Sequence, residues 1–263
     1  LAYDRTLVRI RERSLLELLD LALVVLRARP VTLVKAALFG IVPFAVFNYA
    51  MFGRPYQPGR DQGPGLLLNL LEAPLATAPL TIALGALMFG QKPTAWKTIK
   101  TLVRSLPSLL IYQVILRNIL LFTILFSPLL PFRLAFLNEV ILLERGRWWK
   151  VVRRSSDLCG GRGGELFIMT MLEVVYGFVF VMLFAVGALS IYRVLVGEDP
   201  TWEIPEGAEL DGARYQVATW MVICLFSIAR FLVYIDQRIR LEGWEVELRL
   251  RSVARSLEES DRW

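Results

Sequence analysis

Residues 166–195 read LFIMTMLEVVYGFVFVMLFAVGALSIYRVL, thirty positions with Glu173 the one acid. At 1.5 Å per helical residue, about 20 apolar residues cross a bilayer core roughly 30 Å thick. The stretch therefore predicts a transmembrane helix. Comparable runs recur at 31–52, 66–90, 106–126 and 215–234, with a shorter, polar-containing one at 128–144. Together they predict an all-α, polytopic transmembrane helical bundle of about six spans. The composition agrees. Of 263 residues 56% are hydrophobic, the mean hydropathy is +0.51, and apolar residues cluster in runs.

The segments between the runs divide the chain into three parts. Residues 1–30 form an amphipathic cytoplasmic helix with Arg5, Arg9 and Arg13 on one side and Leu7, Ile10, Leu18, Leu21 and Val25 on another. Its apolar portion, 15–26, is too short to span and contains Glu17 and Asp20, so it is expected to lie along the membrane surface. The start of the chain is also too charged for a signal-peptide core and reads as native protein. Residues 31–234 form the six-span domain. Residues 235–263 form a charged cytoplasmic helix with opposite charges at i,i+4: Asp236/Arg240, Arg238/Glu242, Glu245/Arg249 and Glu247/Arg251. A further surface helix is expected over 91–105, with Lys97, Lys100 and Arg104 on one face and Trp96, Ile99 and Val103 on another.

Orientation follows from the distribution of Lys and Arg, which stay cytoplasmic. The N-terminal segment carries six, 91–105 four, 145–164 six and the tail six. The opposing loop 53–65 (GRPYQPGRDQGPG) has two, and 197–214 has one Arg against six acids. Six spans with both termini in the cytoplasm satisfy every segment. The net charge of +6 is then a topological signal. It requires no nucleic acid partner. The expected partners are anionic headgroups of the inner leaflet, with Arg153, Arg154 and Arg162 as candidate contacts, and a second membrane protein.

The sequence contains no histidine. That excludes a Ser-His-Asp triad, an HExxH zinc site and a histidine proton relay. Cys159 and Cys224 stand alone, without zinc spacing, and no cofactor is expected. The glycine run at 160–164 (GGRGG) lacks the Lys-Ser/Thr of a phosphate loop and reads as a hinge. Pro74 and Pro79 interrupt one span, as a tolerated kink or as the broken helix of a transporter.

Six ionisable residues fall inside spans: Glu72, Arg117, Arg133, Glu139, Glu173 and Arg230. Each costs about 2.5 kcal/mol or more at mid-bilayer if unpaired. Counting rise per residue matches them by depth: Glu72 with Arg133, Arg117 with Glu139, and Glu173 with Arg230. Mutual neutralisation that fixes helix register is the leading reading, and a polar pathway is the alternative.

Three motifs resemble a bacterial group of six-helix membrane proteins that includes the membrane domain of some glycerophosphoryl diester phosphodiesterases. They are Arg13-Ser14 with Glu17-Leu18-Leu19-Asp20 and Arg27; Val140-Ile141-Leu142-Leu143-Glu144 followed by Arg154-Ser155 and Leu158; and Tyr234-x-Asp236-x-Arg238-x-Arg240-x-Glu242-Gly243-x-Glu245. The resemblance implies an all-α bundle and assigns no activity to it. No phosphodiesterase residues carry over, because the sequence contains no soluble catalytic domain. The leading expectation is a non-enzymatic accessory or organising component of the cytoplasmic membrane. The alternative is a small transporter or lipid-handling protein that uses the intramembrane Glu and Arg residues.

Overall fold

The computed structural model describes residues 14–52, 65–88, 90–116, 134–144, 149–160, 163–197 and 213–242. Among these residues every regular element is helical. Helix α1 (Leu15–Ala28) begins at Ser14, whose hydroxyl oxygen accepts the Glu17 backbone N–H at 3.3 Å. Ser with Glu three residues on is the sequence pattern of a capping box. Leu18, Ala22 and Val25 form its buried stripe, and α1 lies against the last helix of the chain. The apolar face expected on a membrane surface is thus largely occupied by protein. Pro30 opens α2 (Pro30–Phe52), at the helix position where its missing N–H is no loss.

The second predicted run forms α3 (Gly65–Ala76) and α4 (Ala78–Met88), separated at Thr77. Pro74 and Pro79 each delete a helical donor and crowd the carbonyl four residues back. Thr77 spans the break. Its N–H and hydroxyl both donate to the Ala73 carbonyl, at 2.9 and 2.7 Å. Its own carbonyl accepts the N–H and hydroxyl of Thr81 at 3.0 and 3.3 Å. The ladder thus continues through Ala73 and Thr77, while the carbonyls facing Pro74 and Pro79 are those of Leu70 and Leu75. Helix α2 seats against the break: a Cβ on Gly40 would stand 1.9 Å from the Ala76 carbonyl oxygen.

A Schellman motif ends α4. Gly90, at φ 70°, donates to Leu87 O at 3.0 Å, and Gln91 donates to Ala86 O at 2.9 Å. The turn carries Lys92 and Pro93 into α5 (Ala95–Leu109), which runs on as a π-helical segment, Leu110–Leu116. Pro107 lies just before that change of pitch and cannot donate to the preceding turn. A short α6 (Leu137–Glu139) likewise passes into π geometry at Val140–Glu144. Helices α7 (Trp149–Cys159), α8 (Gly163–Val196) and α9 (Ala213–Glu242) follow.

Helix α9 is the central element. It packs against α1, α3, α4, α7 and α8. From Phe226 to Gln237 every residue except the half-buried Arg230 is buried, as expected of a helix surrounded by others. Helix α8 touches it along a narrow seam, Val181 against Ala218, Val222 and Phe226. Most of α8 and α2 exposes large apolar side chains, among them Phe178, Leu183, Leu195, Leu38 and Phe47.

Four stretches, Pro30–Asn48, Leu71–Met88, Gly163–Val196 and Gln216–Leu241, are long and apolar enough to cross a bilayer. They are consistent with a membrane protein. The other two expected spans, 106–126 and 128–144, fall partly outside the described residues, as do Arg5, Arg9 and the tail beyond Glu242.

The Gly40 contact yields a stability prediction. Gly40→Val must push α2 off the Ala76 carbonyl, at a cost of about 1–3 kcal/mol. Gly187→Ala, whose added Cβ meets nothing within 4 Å, serves as the control. Thermal unfolding of the purified protein in detergent should show a lower midpoint for the first variant only. Equal midpoints would mean that α2 does not seat in the kink.

Candidate functional site

The charge cluster expected inside the spans is partly present. Arg230 on α9 faces Glu139 on α6, with Nε 3.6 Å from Oε1, and the Glu139 side chain is only 1% exposed. The depth-matched partners were Arg117 for Glu139 and Glu173 for Arg230. Glu173 lies near enough to Glu139 for their charges to interact. Arg117, Arg133 and Arg162 lie outside the described residues. Glu72 accepts a hydrogen bond from Asn48 Nδ2 at 2.8 Å. Depth along an untilted helix fixes a level, not a direction, and an Arg side chain bridges about one turn of pitch. That is why Arg230 reaches an acid placed by counting on another level. Around the pair, both polar atoms of Asn138, Glu139 Oε2, Ser227 Oγ and Arg230 Nε make no hydrogen bond among the described residues.

A second carboxylate organises the end of the bundle. Glu144, the last residue of its π-helical segment, accepts from Arg154 Nε at 2.9 Å and from the Tyr234 hydroxyl at 2.8 Å. Arg154 Nη2 donates to its other oxygen at 3.4 Å, and Arg238 Nε stands 3.7 Å from Oε1. The Arg238 guanidinium also lies over the Tyr234 ring, 5.8 Å from its centroid. Helices α7 and α9 are thus tied to α6 through one side chain. The segments carrying Glu144, Arg154 and Ser155, and Tyr234 through Arg240, meet here.

Of the pairs expected in the tail, Asp236–Arg240 forms at 2.8 Å. Arg238 reaches Glu144 at 3.7 Å, and the side chain of Glu242 and the pairs beyond it lie outside the described residues. Arg154, read from sequence as a lipid contact, is engaged by Glu144, while Arg153 beside it is exposed. Cys159 is buried under α6. Burial pushes its thiol up to about 11, opposed by hydrogen bonds with the Ala135 and Phe136 backbone and with Ser155. It packs as a neutral apolar group.

Next to this hub opens a cleft of about 980 Å³, walled by α4, α5, both π-helical segments and the end of α9. Helix α5 places Lys97, Lys100 and Arg104 at i, i+3 and i+7, and therefore on one face. That face lines the cleft together with Lys92 and Arg238. Thr94, Thr98, Thr101, Ser105 and Ser108 add hydroxyls. The floor is apolar: Ile82, Ile141, Leu142, Phe231 and Ile235. None of the described residues lining the cleft is Asp or Glu. The opposite face of α5 presents Trp96, 72% exposed, with Val103, Leu106 and Leu110. The cations are exposed along the rim of the cleft, and the residues that α5 buries are Thr98, Ser105 and Leu109.

The sequence search looked for charges within spans and so passed over Glu144, Tyr234 and Arg238 as site residues, although all three stand in the resemblance motifs. It recognised the basic face of α5 without the cleft that the face lines. The signal available was a carboxylate and a tyrosine at the ends of apolar runs, each followed by arginines.

Comparison with protein-family models, curated proteins and solved structures returns no match for the chain.

Removing the hub carboxylate should be costly. Glu144→Gln removes a carboxylate from beside the partly buried Arg154 and Arg238, at about 2 kcal/mol. Tyr234→Phe removes one hydrogen bond, about 1 kcal/mol. In a double-mutant cycle Glu144→Gln and Arg154→Gln should cost less together than the sum of the singles. Strict additivity would rule out the coupling.

Proposed function

We propose that the protein is a non-enzymatic, multi-pass lipid-handling protein of a bacterial cytoplasmic membrane. In this reading it has about six spans, both termini lie in the cytoplasm, and the cleft faces the inner leaflet. The observation that carries the reading is the cleft itself: a cationic rim over an apolar floor, large enough for an amphiphile. Ligand cavities commonly measure about 300–1,000 Å³ and combine mostly apolar walls with a few convergent polar groups. The outward Trp96 and Val103 would anchor α5 at the membrane interface, where indole rings concentrate. The Lys and Arg count of 91–105 assigns the same segment to the cytoplasmic side.

An accessory or organising role was the first expectation because the sequence offers no catalytic pattern. The cleft shifts the weight to lipid handling, because it gives the protein something to hold. A hydrolytic role has little support: the described lining contains no carboxylate, and the sequence contains no histidine to act as a base.

Filling the cleft tests the reading. Thr101→Trp and Ser108→Trp each project a large ring into it from α5 and should remove a lipid that co-purifies with the wild type. Native mass spectrometry of the protein released from nanodiscs reads this directly. Retention of the same lipid by both folded variants would show that the cleft does not hold it.

A further inference from the structure

We infer that the cleft selects an amphiphile whose headgroup carries a multiply charged phosphate, such as a phosphomonoester or diphosphate, over one with a single phosphodiester charge. The inference rests on the lipid-handling reading and specifies its ligand.

Five cations, Lys92, Lys97, Lys100, Arg104 and Arg238, line one cleft with no carboxylate among its described lining. Glu144 pairs with Arg238 from behind, at 3.7 Å, and already answers that cation's charge. Lys92, Lys97, Lys100 and Arg104 form no ion pair among the described residues. Like charges gathered around a cavity repel, and the low-dielectric floor beneath them reduces screening. One negative charge leaves most of this repulsion in place, whereas two or three relieve it. The hydroxyls of Thr101, Ser105 and Ser108 lie on the same side of α5 and add donors suited to phosphate oxygens. The N-terminal end of α5, between Lys92 and Lys97, adds partial positive charge from its backbone.

The headgroup fills only part of the space. A volume of about 980 Å³ leaves room for the first stretch of a hydrocarbon chain beside the half-buried Ile82 and the exposed Ile111. Inorganic phosphate or diphosphate shares the headgroup chemistry but makes no use of that floor.

The test uses the full chain in phosphatidylcholine nanodiscs doped with either phosphatidic acid or phosphatidylglycerol at equal mole fraction. Retained lipid is counted by native mass spectrometry at physiological salt. Phosphatidic acid should be retained about tenfold more strongly than phosphatidylglycerol. Lys97→Gln/Lys100→Gln/Arg104→Gln should reduce that preference to about twofold or less. Lys35→Gln/Lys150→Gln/Arg153→Gln removes the same charge from exposed positions outside the cleft lining and should keep the preference.

Equal retention of the two lipids overturns the inference. So does loss of the preference in both triple variants, since that means general surface attraction. If wild type shows no preference while Thr101→Trp still expels lipid, the selectivity claim fails and the lipid-handling reading stands. In a further arm, diphosphate in solution should compete only weakly. Strong diphosphate binding without lipid retention would keep the anion chemistry and sink the lipid reading.

Discussion

The carboxylate of Glu144 decides how three helices meet. Helix α9 is buried almost all round from Phe226 to Gln237, so the polar groups on its last turns need partners on neighbouring helices. Tyr234 and Arg238, four residues apart, sit on one face, and both point to Glu144. The same carboxylate takes Arg154 from α7. Where apolar surface faces lipid, burial contributes little to helix association, and packing with interhelical hydrogen bonds carries more of it. In the membrane setting proposed for this protein, a carboxylate that joins α6, α7 and α9 stabilises their arrangement in a way their apolar sides do not.

The hub also shapes the cleft. Arg238 belongs to both, so its position at the inner wall is set by Glu144 and by the Tyr234 ring beneath it. The other wall depends on local chain geometry. The Schellman turn at Gly90 reverses the chain out of α4, and the i, i+3, i+7 spacing then sets three exposed cations of α5 along the rim of the cleft. Both π-helical segments face this space, through Ile111 and Tyr112 on one and Ile141 through Leu143 on the other. Changes to π pitch are rare and often occur at functional sites.

The helical class was legible because apolar runs record it directly, whereas the helix expected over residues 1–30 has its cap at Ser14, in extended backbone, and starts at Leu15. The interruption at Pro74 and Pro79 was legible too, though its place at Thr77 required coordinates. The candidate site was only half legible. Spacing showed that Lys97, Lys100 and Arg104 share a face, but periodicity carries no information about what a face looks toward. The same limit separated Arg230 from Glu139: counting residues gives depth, whereas pairing also needs azimuth and the order of helices around the bundle. Glu144 was overlooked for a different reason. A charge at the end of an apolar run is ordinary in sequence, and only its convergence with Arg154, Tyr234 and Arg238 from distant segments distinguishes it.

The charge clusters differ in what they leave uncompensated. Glu139 and Arg230 oppose each other across 3.6 Å, and Glu144 is matched by the arginines around it. Both clusters join helices through opposite charges, although unpartnered buried atoms near the first make it a costly arrangement. The face of α5 is different, because its cations are aligned by helical spacing along the cleft rim, exposed to solvent, and form no ion pair among the described residues. That arrangement lowers stability through mutual repulsion, and an anion bound to the folded state alone would restore it by mass action. In the lipid-handling reading proposed for this protein, the uncompensated cluster is therefore where an anionic ligand would bind, and the paired clusters are where helices are joined.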